Sequence, residues 1–195
     1  MKTMYWYNEP DSWSQESEHL TIQVSPKTDY WRQTYYGFTV DDGPFYFQNI
    51  GGEFEMTVTI QGEYKSRFDQ MGLMLRIDQT NWIKFGVEYL ENHINISAVV
   101  TRDKSDWSMI KLQNIPSEVE LKMIRRIDAV ELLYRINSQS EYSLLRLAYF
   151  PEINPVKVGM MAASPDGEGF KAVFNNFKVK HLPDLRRENW LNQNK

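Results

Sequence analysis

The residues of this sequence best suited to chemistry alternate along one predicted strand, NWIKFGVEY, at residues 81–89. Because successive side chains of a strand point to opposite faces, Trp82, Lys84 and Glu88 share one face and the apolar residues between them share the other. An indole ring can stack on the apolar face of a sugar ring, while ammonium and carboxylate groups hydrogen-bond its hydroxyls. The strand is therefore a candidate element of a saccharide-binding groove.

The strand before it brings a cation to the same face. The segment QMGLMLRID at 70–78 alternates in the same way, and two registers of a hairpin with 81–89 keep the apolar sides together. One register sets Arg76 opposite Trp82, and the other sets Arg76 opposite Lys84. We predict the first, because like charges directly opposed are unfavourable whereas a guanidinium over an indole is favourable.

The following strand, INISAVVT at 94–101, supplies an amide. Keeping its apolar side with that of the central strand places Asn95 opposite Glu88. The same registers align small residues across the neighbouring strands, as a floor that permits close approach of a ligand: Gly72, Gly86 and Ser97. An aromatic-rich segment nearer the N-terminus is expected to edge this groove with Trp31 and Tyr36. The simpler alternative is an ordinary solvated sheet face, with those two rings in the core.

The acidic residues of this face favour binding over catalysis. Glycoside hydrolysis requires two carboxyl groups across the scissile bond, and the central strand offers Glu88 alone. Glu88 is accordingly the one candidate acid or base for any reaction. The histidines, His19, His93 and His181, are scattered without metal-ligand spacing, and there is no cysteine. We therefore expect no metal site and no cofactor.

The composition indicates a globular protein that does not bind nucleic acid. Hydrophobic residues make up 42% and charged residues 25% of the 195 residues, and the net charge is −4 with acidic and basic residues interleaved. That balance provides no basic patch for DNA or RNA. The N-terminal segment turns polar almost at once, and no apolar run is long enough for a membrane helix. A cytoplasmic location without membrane contact is the expectation.

Strand patterns dominate the chain and predict an all-β fold. About a dozen short alternating segments, separated by turn-forming residues at intervals of roughly 8–14 residues, are typical of an antiparallel β-sandwich or jelly roll. No linker or repeat divides them, so we expect one domain over 1–182. Residues 183–195 are expected to form a tail, either a short helix with Leu185, Trp190 and Leu191 as apolar contacts or a frayed end.

Several segments, in order along nearly the whole chain, resemble a known domain-of-unknown-function family, one that includes the fungal regulation-of-enolase proteins and small bacterial proteins. They are WYNEPDSW (6–13), TDYWRQTYYGFTVDDG (28–43), QMGLMLRID (70–78), NWIKFGVEY (81–89), VVTRDKSDWS (99–108) and VGMMAASPDGEGFKAVFNNFKV (158–179). The family is similar to the concanavalin A-like lectin and glucanase superfamily, which implies a two-sheet jelly roll with a concave sheet on which carbohydrate commonly binds. Relatives often carry histidine where Tyr35 and Pro44 stand here, which puts any role of those histidines in doubt for this chain.

Together these patterns predict non-catalytic binding of a carbohydrate or sugar-derived metabolite on the concave sheet. The resemblance implies a carbohydrate-utilisation context, with which bacterial members are often associated. Two alternatives stay open. One is a sugar-active hydrolase, lyase or isomerase that uses Glu88 as its acid or base. The other is a protein-interaction module that regulates a metabolic enzyme, and a protein partner or a homo-oligomer would fit it.

Overall fold

The computed structural model describes residues 3–137, 139–184 and 192, and these form a β-protein of sixteen strands. In chain order the strands are β1 (Tyr5–Tyr7), β2 (Ser12–Glu16), β3 (His19–Gln23), β4 (Tyr30–Arg32), β5 (Thr39–Asp41), β6 (Phe45–Ile50), β7 (Phe54–Gly62), β8 (Gln70–Arg76), β9 (Asn81–Leu90), β10 (His93–Arg102), β11 (Lys104–Lys111), β12 (Val119–Arg126), β13 (Ala129–Ile136), β14 (Ser143–Tyr149), β15 (Val156–Ala163) and β16 (Lys171–His181).

Fourteen of these strands form two antiparallel sheets. The front sheet has the order β1-β6-β15-β8-β9-β10-β11, and the back sheet has the order β14-β13-β12-β7-β16-β3-β2. β4 and β5 pair with each other as a small hairpin. The all-β jelly-roll sandwich predicted from the sequence is confirmed. Its strands outnumber those that the pattern indicates, partly because β1 and β4 span only three residues each, too few to display an alternation.

The main core lies between the two sheets and is built from the alternating apolar residues. It receives Ile83, Phe85 and Val87 from β9, and Met56 and Val58 from β7 of the back sheet. Burying an apolar side chain of this size contributes about 1.5–3 kcal/mol. The alternation visible in the sequence is therefore the feature that holds the two sheets face to face.

The pairings of β8, β9 and β10 are those predicted from the alternation. Arg76 lies opposite Trp82 across β8 and β9, and Asn95 lies opposite Glu88 across β10 and β9. A slip by one residue would turn every buried side chain of a strand to the other face, so the apolar core sets the register.

The predicted row of small residues is present, and its glycines are needed for the packing of the strands. Gly86 pairs with Gly72 of β8 and with Ser97 of β10. A Cβ atom on Gly86 would lie 2.1 Å from the carbonyl oxygen of Met71 and 2.7 Å from the Cα of Gly72. The glycines thus allow the backbones of β8 and β9 to approach closely, whereas the expected approach of a ligand over them stays a prediction.

A segment at residues 29–41, here called the covering segment, lies across the face of the front sheet that is turned away from the back sheet. Its Tyr30 belongs to a second hydrophobic cluster on this face, together with Trp31, Phe45, Phe47, Met74, Trp82, Val99 and Met161. Trp82 is only 1% exposed and lies edge-on to Tyr30, with ring centroids 6.0 Å apart. The expectation of an open face is wrong at this end of the sheet, because the covering segment buries it.

Two other expectations concern the chain ends and membranes. The expected contacts of the C-terminal tail, Leu185, Trp190 and Leu191, lie outside the described residues. In the part of the chain that the structure describes, no helix is long and apolar enough to cross a membrane.

Candidate functional site

Beside the covering segment, the same face of the front sheet holds a pocket of about 180 Å³. The covering segment, the central strands and the loops before β8 and after β15 line it with Asp29, Trp31, Tyr36, Phe38, Arg67, Phe68, Gln70, Lys84, Glu88, Val99, Trp107, Pro165 and Asp166. Its volume far exceeds the ~10–15 Å³ that one water needs and falls below the ~300–1,000 Å³ of sites for drug-sized ligands. The pocket therefore suits a small ligand such as a single sugar ring.

Charged and polar groups that already have protein partners form the floor of the pocket. The Nζ atom of Lys84 lies 3.4 Å from Oδ1 of Asp29, and Nε2 of Gln70 donates to the same oxygen at 3.3 Å. Further along β9, Nε1 of Trp107 donates to Oε2 of Glu88 at 2.9 Å. These contacts fix the polar groups before a ligand arrives, which lowers the entropy that binding must overcome.

The carboxyl group of Glu88 is buried in this floor. Burial raises the pKa of this carboxyl above its ordinary value, and the charge of Asp29 adds to the increase. The charge of Lys84 and hydrogen bonds from Ser97 and Trp107 lower the pKa without cancelling the shift. A carboxyl group with a raised pKa is protonated over a wider pH range, so it can donate as well as accept a hydrogen bond. Glu88 is thus suited to orient a hydroxyl group or to exchange a proton.

The charges that line the pocket are largely paired within the protein. Lys84 faces Asp29, and at the rim Nε of Arg67 lies 2.6 Å from Oδ2 of Asp166. Glu88 has no direct ion pair among the described lining residues. The three acids and two bases therefore carry a net charge of −1 when all are ionised. A pocket of this sign favours a neutral or cationic ligand over a carboxylate.

Aromatic rings form the walls of the pocket. Phe68 and Trp107 meet edge to face with centroids 6.4 Å apart, and Trp31 and Tyr36 do so at 5.6 Å. Phe38 stacks on Tyr36 at 5.7 Å. Such contacts hold each ring in a fixed orientation. The walls consequently offer rigid apolar faces to a ligand whose polar groups reach the floor.

One wall residue, Phe68, is held in an uncommon backbone conformation. Its φ angle is 68°, in the left-handed region that bulky side chains rarely adopt and that costs about 1–2 kcal/mol. The loop around it is closed by the buried Asp69, whose carboxylate accepts bonds at 2.8 Å from the backbone N–H groups of Lys65 and Ser66. The guanidinium of Arg67 covers the Phe68 ring at 4.9 Å. The conformation places the Phe68 ring in the wall of the pocket.

Four of the seven predicted site residues line this pocket, namely Trp31, Tyr36, Lys84 and Glu88. The remaining three are Arg76, Trp82 and Asn95, which lie outside the lining. The structure thus joins two residues of the covering segment to two residues of β9. Ligand contact by any of the seven stays a prediction.

Arg76 and Trp82 are occupied by contacts with the protein itself. The guanidinium of Arg76 forms a bidentate ion pair with Asp41, at 2.6 and 2.7 Å. It lies over the ring of Tyr7 at 4.5 Å rather than over the expected indole of Trp82, whose Nε1 donates to the carbonyl of Gln79 at 3.3 Å. A carboxylate matches the planar fork of Arg better than an aromatic face does. The covering segment supplies that carboxylate, and strand register alone does not reveal it.

The amide of Asn95 is likewise used by the backbone. Its Nδ2 donates to the carbonyls of Glu88 at 3.2 Å and of His93 at 3.1 Å. Asn95 is 2% exposed. These bonds tie the β9–β10 hairpin together, and Asn95, on the same face as Glu88, is not part of the pocket lining.

Several pocket residues are absent from the sequence-based prediction. Gln70 and Trp107 lie on strands, and extending the predicted registers to the start of β8 and to β11 places both on the face of Lys84. Asp29 and Phe68 lie in loops, where no alternation indicates which way a side chain points. Asp29 changes the interpretation of the site, because it gives Glu88 the neighbouring carboxylate that the central strand lacks.

Within residues 3–137 and 139–184, no group of three or more histidine, aspartate or glutamate side chains is arranged to hold a metal ion. The acids of the floor instead face hydrogen-bond donors: Asp29 faces Gln70, and Glu88 faces Trp107.

Comparison with known proteins decides the family. A model of the family described as "Protein of unknown function (DUF1349)" matches residues 6–182. The chain belongs to this family. Regulation of enolase protein 1 of Saccharomyces cerevisiae is 37% identical over 186 residues, which cover 92% of this chain and 93% of that protein. An uncharacterized protein of Emericella nidulans, AN7484, is 20% identical over 165 residues that cover 80% and 82% of the two chains.

Solved structures confirm the lectin and glucanase fold that the family resemblance implies. A functionally unknown protein from Saccharomyces cerevisiae has a TM-score of 0.88 and 34% identity, with 92% of this chain and 97% of that chain covered. Xylan β-1,4-xylosidase from Bacillus halodurans has a TM-score of 0.65 at 16% identity, and 84% of this chain matches 33% of that enzyme. The legume lectin-like domain from Entamoeba histolytica has a TM-score of 0.64 at 10% identity, covering 92% and 90%. The latter two resemblances concern the fold alone.

Proposed function

We propose that the pocket binds a neutral saccharide or sugar-derived metabolite without converting it. The observation that most supports this is the meeting, in one small pocket, of rigid aromatic walls and fixed polar groups. Phe68 and Trp107 offer ring faces to the C–H side of a sugar, while Lys84, Gln70 and Glu88 offer donors and acceptors to its hydroxyls.

The charge balance narrows the ligand class. Lys84 and Arg67 already face Asp29 and Asp166, so their positive charges are largely compensated and attract a ligand carboxylate less than unpaired cations would. Glu88 adds a negative charge when it is ionised. Binding of a neutral sugar or an amino sugar in this pocket is therefore expected to carry a smaller electrostatic free-energy penalty than binding of a uronic acid.

The experiment is calorimetric titration of the protein with neutral, amino and uronic mono- and oligosaccharides, with product analysis of every mixture. The wild type is expected to saturate with a neutral or amino sugar and to release no product. Glu88→Gln is expected to weaken binding about tenfold, since a hydrogen bond to a charged group is lost. Glu91→Gln, at the exposed turn between β9 and β10, is the matched control and keeps wild-type affinity. Failure of every saccharide to bind, or equal binding by Glu88→Gln, contradicts the proposal.

A catalytic function is favoured by one observation. The floor of the pocket contains two carboxyl groups, Asp29 and Glu88, and the charge of Asp29 helps to raise the pKa of Glu88. Divided roles of this kind are typical of acid–base pairs. The same titration separates the two functions, because a glycosidase would release product and Glu88→Gln would abolish that release.

Regulation of a metabolic enzyme is favoured by the relative in Saccharomyces cerevisiae, whose name assigns it to the regulation of enolase and which matches this chain over nearly its full length. Enolase turnover, measured with and without an excess of the chain, tests this function. A change in turnover supports it, and unchanged turnover with no complex by gel filtration contradicts it. Saccharide binding and regulation are compatible, so a sugar is included in half of the assays.

A further inference from the structure

A second depression lies on the other side of the aromatic wall of the pocket. This depression, here called the shelf, has a volume of about 470 Å³. It is lined by Trp31, Thr34, Tyr35, Tyr36, Ser105, Asp106 and Trp107. Trp31, Tyr36 and Trp107 also line the pocket. The pocket and the shelf are therefore neighbouring compartments that share aromatic side chains.

Tyr35 is the least buried aromatic residue of the shelf and has an unusual backbone. Tyr35 is 94% exposed, and its φ angle is 63°. A bulky residue in this region costs about 1–2 kcal/mol relative to the right-handed conformation. The folded chain gains little in return, because the Tyr35 ring touches mainly the edge of Tyr36, with centroids 5.0 Å apart. A strained position that displays a ring to solvent is a reason to look for an external partner.

The turn that displays Tyr35 is well ordered by its own hydrogen bonds. The N–H of Gln33 donates to the carbonyl of Phe38 at 2.6 Å, and the N–H of Gly37 donates to the carbonyl of Gln33 at 2.7 Å. Tyr36 is fixed between Trp31 on one side and Phe38 on the other. The Tyr35 ring is consequently presented from a fixed support, which limits the entropy lost when a ligand stacks on it.

Polar groups of the shelf leave acceptors available beside the rings. Asp106 pairs with Arg146 at 3.0 Å, but its side chain is 59% exposed. The hydroxyl of Ser105, by contrast, is already used within the protein. Its Oγ lies 2.9 Å from Oγ1 of Thr101 and accepts from the N–H of Arg32 at 2.9 Å. The shelf therefore combines a carboxylate with aromatic faces, as the pocket does, but its carboxylate is exposed.

We propose that the shelf is a second saccharide subsite, so that the natural ligand is a neutral chain of at least two sugar units. One unit occupies the pocket above Lys84 and Glu88, and the next crosses Trp107 and stacks on Tyr35. This inference rests on the proposed saccharide binding in the pocket. It specifies the minimum number of sugar units in the ligand, which the pocket alone does not.

The test compares affinities for short and long forms of the same sugars, by calorimetric titration with glucose, cellotriose and maltotriose and with xylose and xylotriose. For the sugar that binds, the wild type is expected to hold the trisaccharide roughly three- to tenfold more tightly than the monosaccharide, the gain typical of an added aromatic contact. Tyr35→Asn removes the ring and suits the left-handed backbone. It is expected to lose the trisaccharide gain and to keep monosaccharide affinity, while Tyr35→Phe keeps both.

The outcomes of this test separate the two proposals. Equal wild-type affinity for the two lengths, or an unchanged trisaccharide gain in Tyr35→Asn, overturns the shelf subsite and leaves saccharide binding in the pocket intact. Loss of monosaccharide affinity in Tyr35→Asn also overturns it, because the ring would then act in the pocket. Binding of neither length to the wild type refutes the pocket proposal together with the shelf. The melting temperature of Tyr35→Asn is expected to equal or exceed that of the wild type, since strain is relieved.

Discussion

At the scale of single residues, the floor of the pocket contains a carboxyl group whose environment opposes ionisation. Glu88 is 7% exposed, and burial is the largest cause of its raised pKa. Trp107 and Ser97 donate to it, which limits the cost of its charge. The sequence places Glu88 on the correct face, but the raised pKa depends also on Asp29, which lies 59 positions earlier in a loop and could not be paired with it from strand patterns.

The raised pKa of Glu88 predicts a pH dependence of stability. Because the folded-state pKa lies above the ordinary value of 4.5, folding favours the protonated form. The stabilising contribution of protonated Glu88 to the free energy of unfolding is fully present at pH values below 4.5. It is lost as the pH rises through the folded-state pKa. Glu88→Gln cannot ionise, so its free energy of unfolding is expected to increase relative to that of the wild type across this interval. Urea unfolding at pH 4 to 8 measures the difference, and a constant difference contradicts the assignment.

The buried ion pair of Arg76 and Asp41 predicts that a single substitution in it strongly lowers the free energy of unfolding. Asp41→Asn is expected to lower the free energy of unfolding by about 3–5 kcal/mol, because it leaves a guanidinium buried without its carboxylate. The Arg76 side chain is 3% exposed. Glu168→Gln, which breaks the exposed pair with Lys27, is the control and is expected to cost at most about 1 kcal/mol. Equal losses in urea unfolding would show that the Arg76 pair is no more important than a surface pair.

At the scale of elements, the alternation of apolar and polar residues predicts the register of β8 and β9 but not the position of the covering segment. Their register follows from the apolar core and agrees with the structure, including Arg76 opposite Trp82. The position of the covering segment does not follow, since its contacts join residues distant in sequence, such as Asp29 with Lys84 and Asp41 with Arg76. Sequence patterns therefore predict the sheet but not the segment that closes one end of its face.

The paired glycines of β8 and β9 predict that an added methyl group separates the strands. Gly86→Ala is expected to lower the free energy of unfolding by about 3 kcal/mol, the upper end of the usual range for overpacked sites, because its Cβ meets backbone atoms of β8. Gly51→Ala is the control, since its Cβ would have no neighbour nearer than 3.7 Å. Denaturant unfolding of both variants provides the measurement. A Gly86→Ala variant as stable as Gly51→Ala would mean that the strands are not in this close contact.

At the scale of the whole molecule, one face of a jelly-roll sandwich is divided between a second hydrophobic cluster and a pocket. The covering segment contributes to both, with Tyr30 in the cluster and Asp29 in the pocket. Trp82, which on an open face would be a stacking platform, is part of the cluster. Binding in this protein is therefore expected in the pocket and the shelf beside the covering segment and not along the full width of the sheet.

The central claim, that the pocket binds a saccharide, is tested most directly by a pair of identical substitutions. Trp107→Phe keeps a ring in the wall but removes the Nε1 donor to Glu88 and Ser97. Trp13→Phe removes a comparable indole donor, to Glu9, at the far edge strand of the back sheet.

The measurement is the dissociation constant of the neutral sugar that binds the wild type most tightly, determined by titration for both variants. Trp107→Phe is expected to weaken binding roughly tenfold, because Glu88 loses the donor that holds it in place and the smaller ring covers less of the sugar. Trp13→Phe is expected to stay within about twofold of the wild type, because sites that share no partner act independently. Equal affinities of the two variants, or a wild type that binds none of the sugars, would contradict saccharide binding in this pocket.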